Sequence, residues 1–99
     1  MTSSQEKRLP PTGIACLDIV TAHAYSSYNA GEIAIGKRVG CFNCLKISEP
    51  KDIKEGTDDN QTAICPKCGI DSMIADTSGY TIDRIFLSLM EKHWFGIGP

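Results

Sequence analysis

Four of the five cysteines fall in two pairs, each with two residues between its members. The first pair is Cys41-Phe42-Asn43-Cys44 and the second is Cys65-Pro66-Lys67-Cys68, with 20 residues between them. A two-residue spacing lets a tight turn aim both thiolates at one ion. Two such turns supply the four soft ligands that tetrahedral zinc prefers, at metal–sulfur distances of about 2.3 Å. The sequence therefore predicts one metal site made of Cys41, Cys44, Cys65 and Cys68.

A site closed by four thiolates is expected to be structural. The metal would have no open position for water or substrate, so catalysis at the metal is not expected. The chain has 99 residues, and domains this small commonly supplement a limited core with a metal or a disulfide. Structural zinc contributes on the order of 10 kcal/mol to the folding of small domains. We therefore expect one structural zinc ion, with Gly69 taking the positive φ that the residue after the last cysteine often needs.

Five further side chains could do chemistry, and each also has an ordinary structural role. Cys16 lies on a predicted helix face, where core packing is the expected role and a redox or auxiliary thiol is the alternative. His23 and His93 could form a second site or act in acid–base chemistry, although a histidine on an apolar helix is more often a packing residue. Asp71 and Ser72 could form a polar site beside the second pair, and turn hydrogen bonds explain them equally well.

The charge balance gives no support to a nucleic-acid or membrane surface. The composition is 41% hydrophobic and 22% charged, and the formal net charge is −2. Between the first and last metal cysteines, four lysines stand against five acidic residues, whereas a phosphate-binding surface needs a local excess of Lys and Arg. The sequence also contains no Gly-rich phosphate loop, nucleophile elbow or paired-carboxylate pattern. We therefore predict no catalytic and no cofactor-binding residues beyond the metal ligands.

Two features near the start of the chain bear on its location and domain organisation. The apolar stretch Gly13–Ala24 is too short to span a bilayer and is interrupted by Asp18 and His23. We expect a cytoplasmic protein, in a compartment that keeps thiols reduced and available for metal. Residues 1–11 are polar, with two adjacent prolines, and predict a flexible N-terminal arm before a single domain over residues 12–99.

Helical periodicity flanks the cysteine pairs on both sides. The N-terminal segment begins with Thr12 as a candidate N-cap. It carries apolar side chains close to helical spacing: Ile14, Leu17, Val20 (or Ala24) and Tyr28. A short second helix is expected to begin at Asn29, which together with Glu32 matches a capping box. Near the C-terminus, Thr81 is a candidate cap for an amphipathic helix that Gly96 ends. One face of that helix would carry five residues: Ile82, Ile85, Phe86, Leu89 and His93.

Short strands and turns are expected around the second cysteine pair. Residues 48–54 predict a cap and a short helix that begins at Pro50, and residues 56–60 predict a turn. Gln61–Ile64 reads as a strand that enters the second pair, and Ile70–Ala75 as a strand that leaves it. Two cysteine turns flanked by short strands are the pattern of a zinc ribbon.

From His23 to Phe95 the sequence resembles a family of small uncharacterised bacterial cytoplasmic zinc-ribbon proteins. The matching stretches are residues 23–27, 41–45, 61–72 and 94–95. The resemblance implies a bacterial or phage-encoded protein with a zinc-ribbon core, and it brings no known activity. This chain has Asn29-Ala30 where a His-Arg pair is common in that family, and Val39 where a further cysteine often stands. An active site built on those groups would be lost here.

The second pair also resembles part of a redox site. Cys65-Pro66-Lys67-Cys68-Gly69 is similar to the second knuckle of rubredoxins, which makes iron the alternative metal. The first knuckle has Leu45 in place of the matching glycine, and nothing in the chain indicates an electron-transfer partner. Zinc is therefore the preferred ion.

Together these observations predict an α+β domain. It is a small zinc ribbon with short β-hairpins, N-terminal helices and a C-terminal amphipathic helix packed on it. The expected function is a non-enzymatic protein-interaction module, a regulator or inhibitor from a bacterial or phage and mobile-element context. Phe42, Trp94 and Phe95 would be core residues or an exposed patch for a protein partner. The alternatives are a nucleic-acid-associated zinc ribbon and a small enzyme that uses His23, Asp71 and His93.

Overall fold

A three-stranded antiparallel sheet separates two cores in the computed structural model, which describes residues 9–96. Strand β1 (Val39–Cys41) is central, with β2 (Ile47–Ser48) on one side and β5 (Met73–Ala75) on the other. A second sheet of two strands pairs β3 (Gly56–Thr57) with β4 (Thr62–Ala63). The α+β class is confirmed, with strands of two or three residues that are shorter than the sequence predicts.

The two faces of the three-stranded sheet have different neighbours because side chains alternate along each strand. Val39 and Cys41 of β1 face a cluster that contains the metal cysteines and Ile33. On the opposite face, Ile74 packs in a larger apolar cluster: Ala22, Phe42, Tyr80, Ile82, Leu87 and Met90. The sheet therefore has a cysteine-rich core on one side and a helix-covered core on the other.

Gly40 allows the last helix to lie directly on the central strand. A Cβ atom at this position would lie 2.8 Å from both Ile82 Cγ2 and Leu87 Cδ1. Real Cβ atoms do not approach carbon atoms so closely, so a larger residue would force the buried Ile82 and Leu87 side chains to shift.

The N-terminal helix is shorter than predicted, and its apolar positions face outward. Helix α1 covers Ala15–Thr21 and continues as a 3-10 helix over Ala22–Ser26. The Asp18 carboxylate accepts hydrogen bonds from the backbone N–H groups of Thr12 and Gly13, so it holds the residues that lead into the helix. The helix buries Asp18, while the predicted apolar positions Ile14, Leu17, Val20 and Tyr28 are exposed.

The last helix also differs from its prediction in start and in phase. Helix α3 covers Arg84–Trp94, and its N-cap is Asp83, whose Oδ1 accepts a hydrogen bond from Phe86 N. The Thr81 cap was therefore wrong. Leu87 and Met90 are the buried helix positions, one residue along from the predicted face, and Ile85 and Leu89 are exposed. Gly96 has φ 55°, which confirms the predicted helix end, while Pro99 lies outside the described residues.

Asn29 is the N-cap residue of the second helix, as predicted, but its side chain connects three other elements. Helix α2 covers Ala30–Ala34, and the Asn29 side chain makes no cap hydrogen bond to it, so the predicted capping box was wrong. The Asn29 amide donates to the carbonyls of Tyr25 and Met73, and its oxygen accepts from Ala63 N. Asn29 is completely buried, and it ties the 3-10 helix to β4 and β5.

The predicted turn over residues 56–60 and the predicted short helix at Pro50 take regular local forms. Asp58, Asp59 and Asn60 all have positive φ values between 55° and 66° and form the turn from β3 to β4. A 3-10 helix covers Pro50–Asp52, and the Asp52 carboxylate accepts a hydrogen bond from Glu49 N at its start. A further 3-10 helix over Asp76–Ser78 ends at Gly79, which has φ 93°.

The described start of the chain contacts the helical core. The carbonyl oxygen of Leu9 accepts hydrogen bonds from the hydroxyls of Tyr80 and Tyr25. The first eight residues of the predicted arm lie outside the described residues. Within residues 9–96, no helix is long and apolar enough to cross a membrane.

Candidate metal centre

The four predicted cysteine ligands converge on one point. The Sγ atoms of these four residues all lie within 4.8 Å of one another. Cys41 Sγ is 3.6 Å from Cys68 Sγ, and Cys44 Sγ is 3.7 Å from Cys65 Sγ. A tetrahedron with metal–sulfur bonds of about 2.3 Å has sulfur–sulfur edges of about 3.8 Å. These residues therefore fit a single tetrahedral metal ion.

The two cysteine turns, Cys41–Cys44 and Cys65–Cys68, are called the first and second knuckle. Each lies next to a short strand. Cys41 is the last residue of β1, and its carbonyl accepts from Leu45 N, which closes the first turn. In the second knuckle the Cys65 carbonyl accepts in the same way from Gly69 N. Gly69 has φ 79°, as predicted. Leu45 has φ 65°, so the first knuckle takes the same left-handed conformation without a glycine.

Leu45 has a packing reason to occupy this position. A non-glycine residue in the left-handed region costs on the order of 1 kcal/mol. The Leu45 side chain packs against the helix-covered core, which offsets that cost. The absence of a glycine at position 45 was an argument against iron in the sequence analysis. Because Leu45 takes the same backbone conformation, this absence does not distinguish zinc from iron.

Backbone and side-chain groups surround the sulfurs with hydrogen-bond donors. Asn43 N lies 3.3 Å from Cys41 Sγ, and Lys67 N lies 3.3 Å from Cys65 Sγ. The Asn43 side-chain amide donates to Cys68 Sγ at 3.3 Å, across the two knuckles. Donors of this kind stabilise the negative charge that four thiolates bring to a dication.

Ser72 is a part of the centre that the sequence did not identify as such. Its hydroxyl lies 3.2 Å from Cys41 Sγ, and the residue is buried. The sequence placed Ser72 in a polar site with Asp71, but Asp71 is exposed. Ser72 directly precedes β5, whose first residue Met73 pairs with Cys41, and this adjacency was the available signal for a side chain near the centre.

The thiols differ in their acidity. Burial raises the pKa of Cys41 to about 12, against the opposing effect of its hydrogen bond with Ser72. Burial also raises the pKa of Cys44. For Cys68, burial acts in the same direction, but hydrogen bonds from the Asn43 side chain and from Ile70 N outweigh it and lower the pKa to about 7. A metal must therefore displace a proton from Cys41 that this site otherwise holds firmly, which makes metal binding dependent on pH.

The two histidines meet at one aromatic ring. The His23 ring lies 4.0 Å from the Trp94 ring, and the His93 ring lies 4.7 Å from it, measured between centroids. His23 also lies 6.0 Å from Phe42, which is buried inside the first knuckle, and Phe42 lies 5.7 Å from Phe95. These contacts make an aromatic cluster that packs against the metal knuckle.

The remaining candidate, Cys16, is exposed on α1. The core-packing role that the sequence favoured for it was therefore wrong. The prediction assumed that α1 turns its apolar positions toward the core. In the structure α1 buries Asp18 instead, so those positions face solvent.

Comparisons with protein-family models, with curated proteins and with solved structures give no match for this chain. The resemblance to the bacterial family therefore stays a prediction.

Proposed function

We propose that this protein is a non-enzymatic, zinc-stabilised protein-interaction module whose binding surface is the outer face of α1. The zinc ion has a structural role in a zinc-ribbon core, and the module acts in a bacterial or phage context as a regulator or inhibitor of its partner. The observation that carries the proposal is an exposed, uncharged helix face on a domain held together by a four-cysteine centre.

The outer face of α1 consists of apolar side chains at helical spacing. Cys16, Leu17 and Val20 are all exposed on the helix, and Ile14 is exposed just before it. Asp18 is the only residue between positions 9 and 22 that carries a charge, and it is buried. Solvated helix faces normally carry charged residues, and a contiguous apolar face on a soluble domain typically marks an interaction surface.

The charges favour a protein over a nucleic acid as the partner. The outer face of α1 offers no cation for phosphate, and the segment between the knuckles carries more acids than lysines. Phosphate recognition requires the opposite balance, because cations release counterions when they bind the backbone. An apolar face without charge fits the buried centre of a protein–protein interface.

The metal part of the proposal is tested by elemental analysis of the purified protein. We expect about one zinc ion per chain, held by four thiolates. Stoichiometric iron with a visible thiolate charge-transfer band would overturn zinc in favour of the rubredoxin-like alternative.

The interaction part is tested by Leu17→Glu, which puts a charge at the middle of the outer face. Leu17 is 49% exposed, so the variant should fold normally. We expect the protein to capture a partner from a bacterial lysate, and calorimetry with that purified partner to show binding at least about tenfold weaker for Leu17→Glu. The matched control is Ile35→Glu, since Ile35 is an exposed isoleucine outside α1. If both variants weaken binding equally, or if neither weakens it, the outer face of α1 is not the binding surface.

A further inference from the structure

The four sulfurs form two pairs that cross between the knuckles. Cys41 lies 3.6 Å from Cys68, and Cys44 lies 3.7 Å from Cys65, measured between Sγ atoms. In each pair one cysteine is buried (Cys41 or Cys65) and the other is partly exposed (Cys68 or Cys44). These separations are close to the roughly 3–3.5 Å at which reacting atoms are poised.

We propose that Cys44 and Cys68 are sites of oxidation by hydrogen peroxide, and that each closes a disulfide with its buried partner in the other knuckle. The products are the disulfides Cys41–Cys68 and Cys44–Cys65, and their formation releases the metal. The inference rests on the proposed zinc centre and adds a redox control to it.

The exposed thiolate reacts first because a peroxide can reach it from solvent. The sulfur of Cys68 attacks one peroxide oxygen, the O–O bond breaks, and the products are a sulfenic acid on Cys68 and hydroxide. The buried Cys41 thiolate then attacks the Cys68 sulfur. The S–S bond forms, the S–O bond breaks, and hydroxide leaves and takes up a proton to form water. In total, two thiolates lose two electrons, and one hydrogen peroxide takes up these electrons and two protons from solvent to give two waters.

The same two steps at Cys44 and Cys65 consume a second peroxide. Four cysteines allow three disulfide pairings, and the proposed pairing is the one whose members lie 3.6 Å and 3.7 Å apart. Both selected disulfides join one knuckle to the other, as the metal does. The oxidised chain therefore keeps its two knuckles together after the ligands are lost.

Asn43 is placed to slow the reaction. Its side-chain amide donates to Cys68 Sγ at 3.3 Å, and a donated hydrogen bond withdraws electron density from the attacking sulfur. Its counterpart in the second knuckle is Lys67, which occupies the same position between the two cysteines, with its side chain exposed to solvent. The two residues give a variant and a matched control.

The test uses the full-length zinc-loaded protein with Cys16→Ser, which leaves only the four ligand cysteines. Hydrogen peroxide is added in steps, zinc release is followed with a chromophoric chelator, and the disulfides are mapped by mass spectrometry. Trypsin cleaves after Lys67 and chymotrypsin after Phe42, so the digest separates all four cysteines. We expect zinc release together with the Cys41–Cys68 and Cys44–Cys65 peptides, and recovery of zinc binding after reduction by dithiothreitol.

We also expect Asn43→Ala to release zinc several-fold faster than the parent, and Lys67→Gln to release it at the parent rate. Zinc that stays bound under peroxide, or disulfides formed within one knuckle, would overturn the inference while the proposed function stands. Equal rates for Asn43→Ala and Lys67→Gln would overturn the role given to Cys68. A purified protein without zinc would overturn the proposed zinc centre, and this inference with it.

Discussion

Replacing the buried Asn29 with alanine should destabilise the zinc-loaded protein strongly. The Asn29 side chain makes three hydrogen bonds to backbone groups, at 2.8 Å to Met73 O, 3.0 Å to Tyr25 O and 3.1 Å to Ala63 N. Met73 is completely buried and Ala63 is almost so, which leaves water little access to replace the amide. Alanine would therefore leave at least two buried backbone groups without a partner.

The expected loss follows from the cost of an unsatisfied buried group. Each such group costs about 1–3 kcal/mol, so two of them give a loss of about 4 kcal/mol in the free energy of unfolding. Domains of this kind are stable by only about 5–15 kcal/mol. The substitution would therefore remove a large part of the total stability.

The measurement is urea unfolding at a fixed saturating zinc concentration, followed by circular dichroism. Fixed zinc matters because ligand binding to the folded state adds to the apparent stability. Gln61→Ala is the control, because Gln61 is exposed and its loss should change stability by no more than about 0.5 kcal/mol. If Asn29→Ala lies within about 1 kcal/mol of the parent, the proposed connecting role of this amide is refuted.

Three further substitutions test other parts of the fold. Cys65→Ser should lose zinc and unfold, seen by metal analysis and near-ultraviolet circular dichroism; a folded variant would contradict a structural metal. Gly40→Ala should cost about 1–3 kcal/mol in urea unfolding because of its contact with α3, while Gly31→Ala, with open space around it, should be neutral or stabilising. Hydrogen bonds from Thr12 and Gly13 lower the pKa of Asp18, and this carboxylate stabilises the fold above its unfolded-state pKa. That stabilisation is lost as pH falls through the folded-state pKa. Asp18→Asn should therefore be less stable than the parent at neutral pH, and the difference in stability should shrink in acid. A difference that stays constant with pH would contradict this role of Asp18.

The convergence of the four cysteines could be predicted from the sequence because the geometry of each pair is local. Two residues between cysteines define a turn, and the positive φ of Gly69 follows from that turn. The matching conformation of Leu45 could not be predicted in the same way. It depends on the apolar cluster against which the Leu45 side chain packs, and this cluster is assembled from distant parts of the chain.

The helix faces were predicted wrongly for a different reason. Periodicity shows which residues share a face but not which face a small domain buries. In α1, hydrogen bonds from the preceding loop draw Asp18 inward, so the apolar positions face solvent. In α3, the cap at Asp83 begins the helix later than Thr81 would, and the close approach to Gly40 selects Leu87 as the contact residue.

Because side chains point alternately to the two faces of β1, the number of residues in this strand is constrained. Val39 and Cys41 face the cysteine-rich core, and Gly40 between them faces Leu87. Inserting or deleting one residue in this strand would turn every side chain to the opposite face. The first ligand would then point into the helix-covered core, and a bulkier residue would meet α3. Homologous chains should therefore tolerate insertions in the turn over residues 58–60, and keep the length of residues 39–41 together with Gly40 and Cys41.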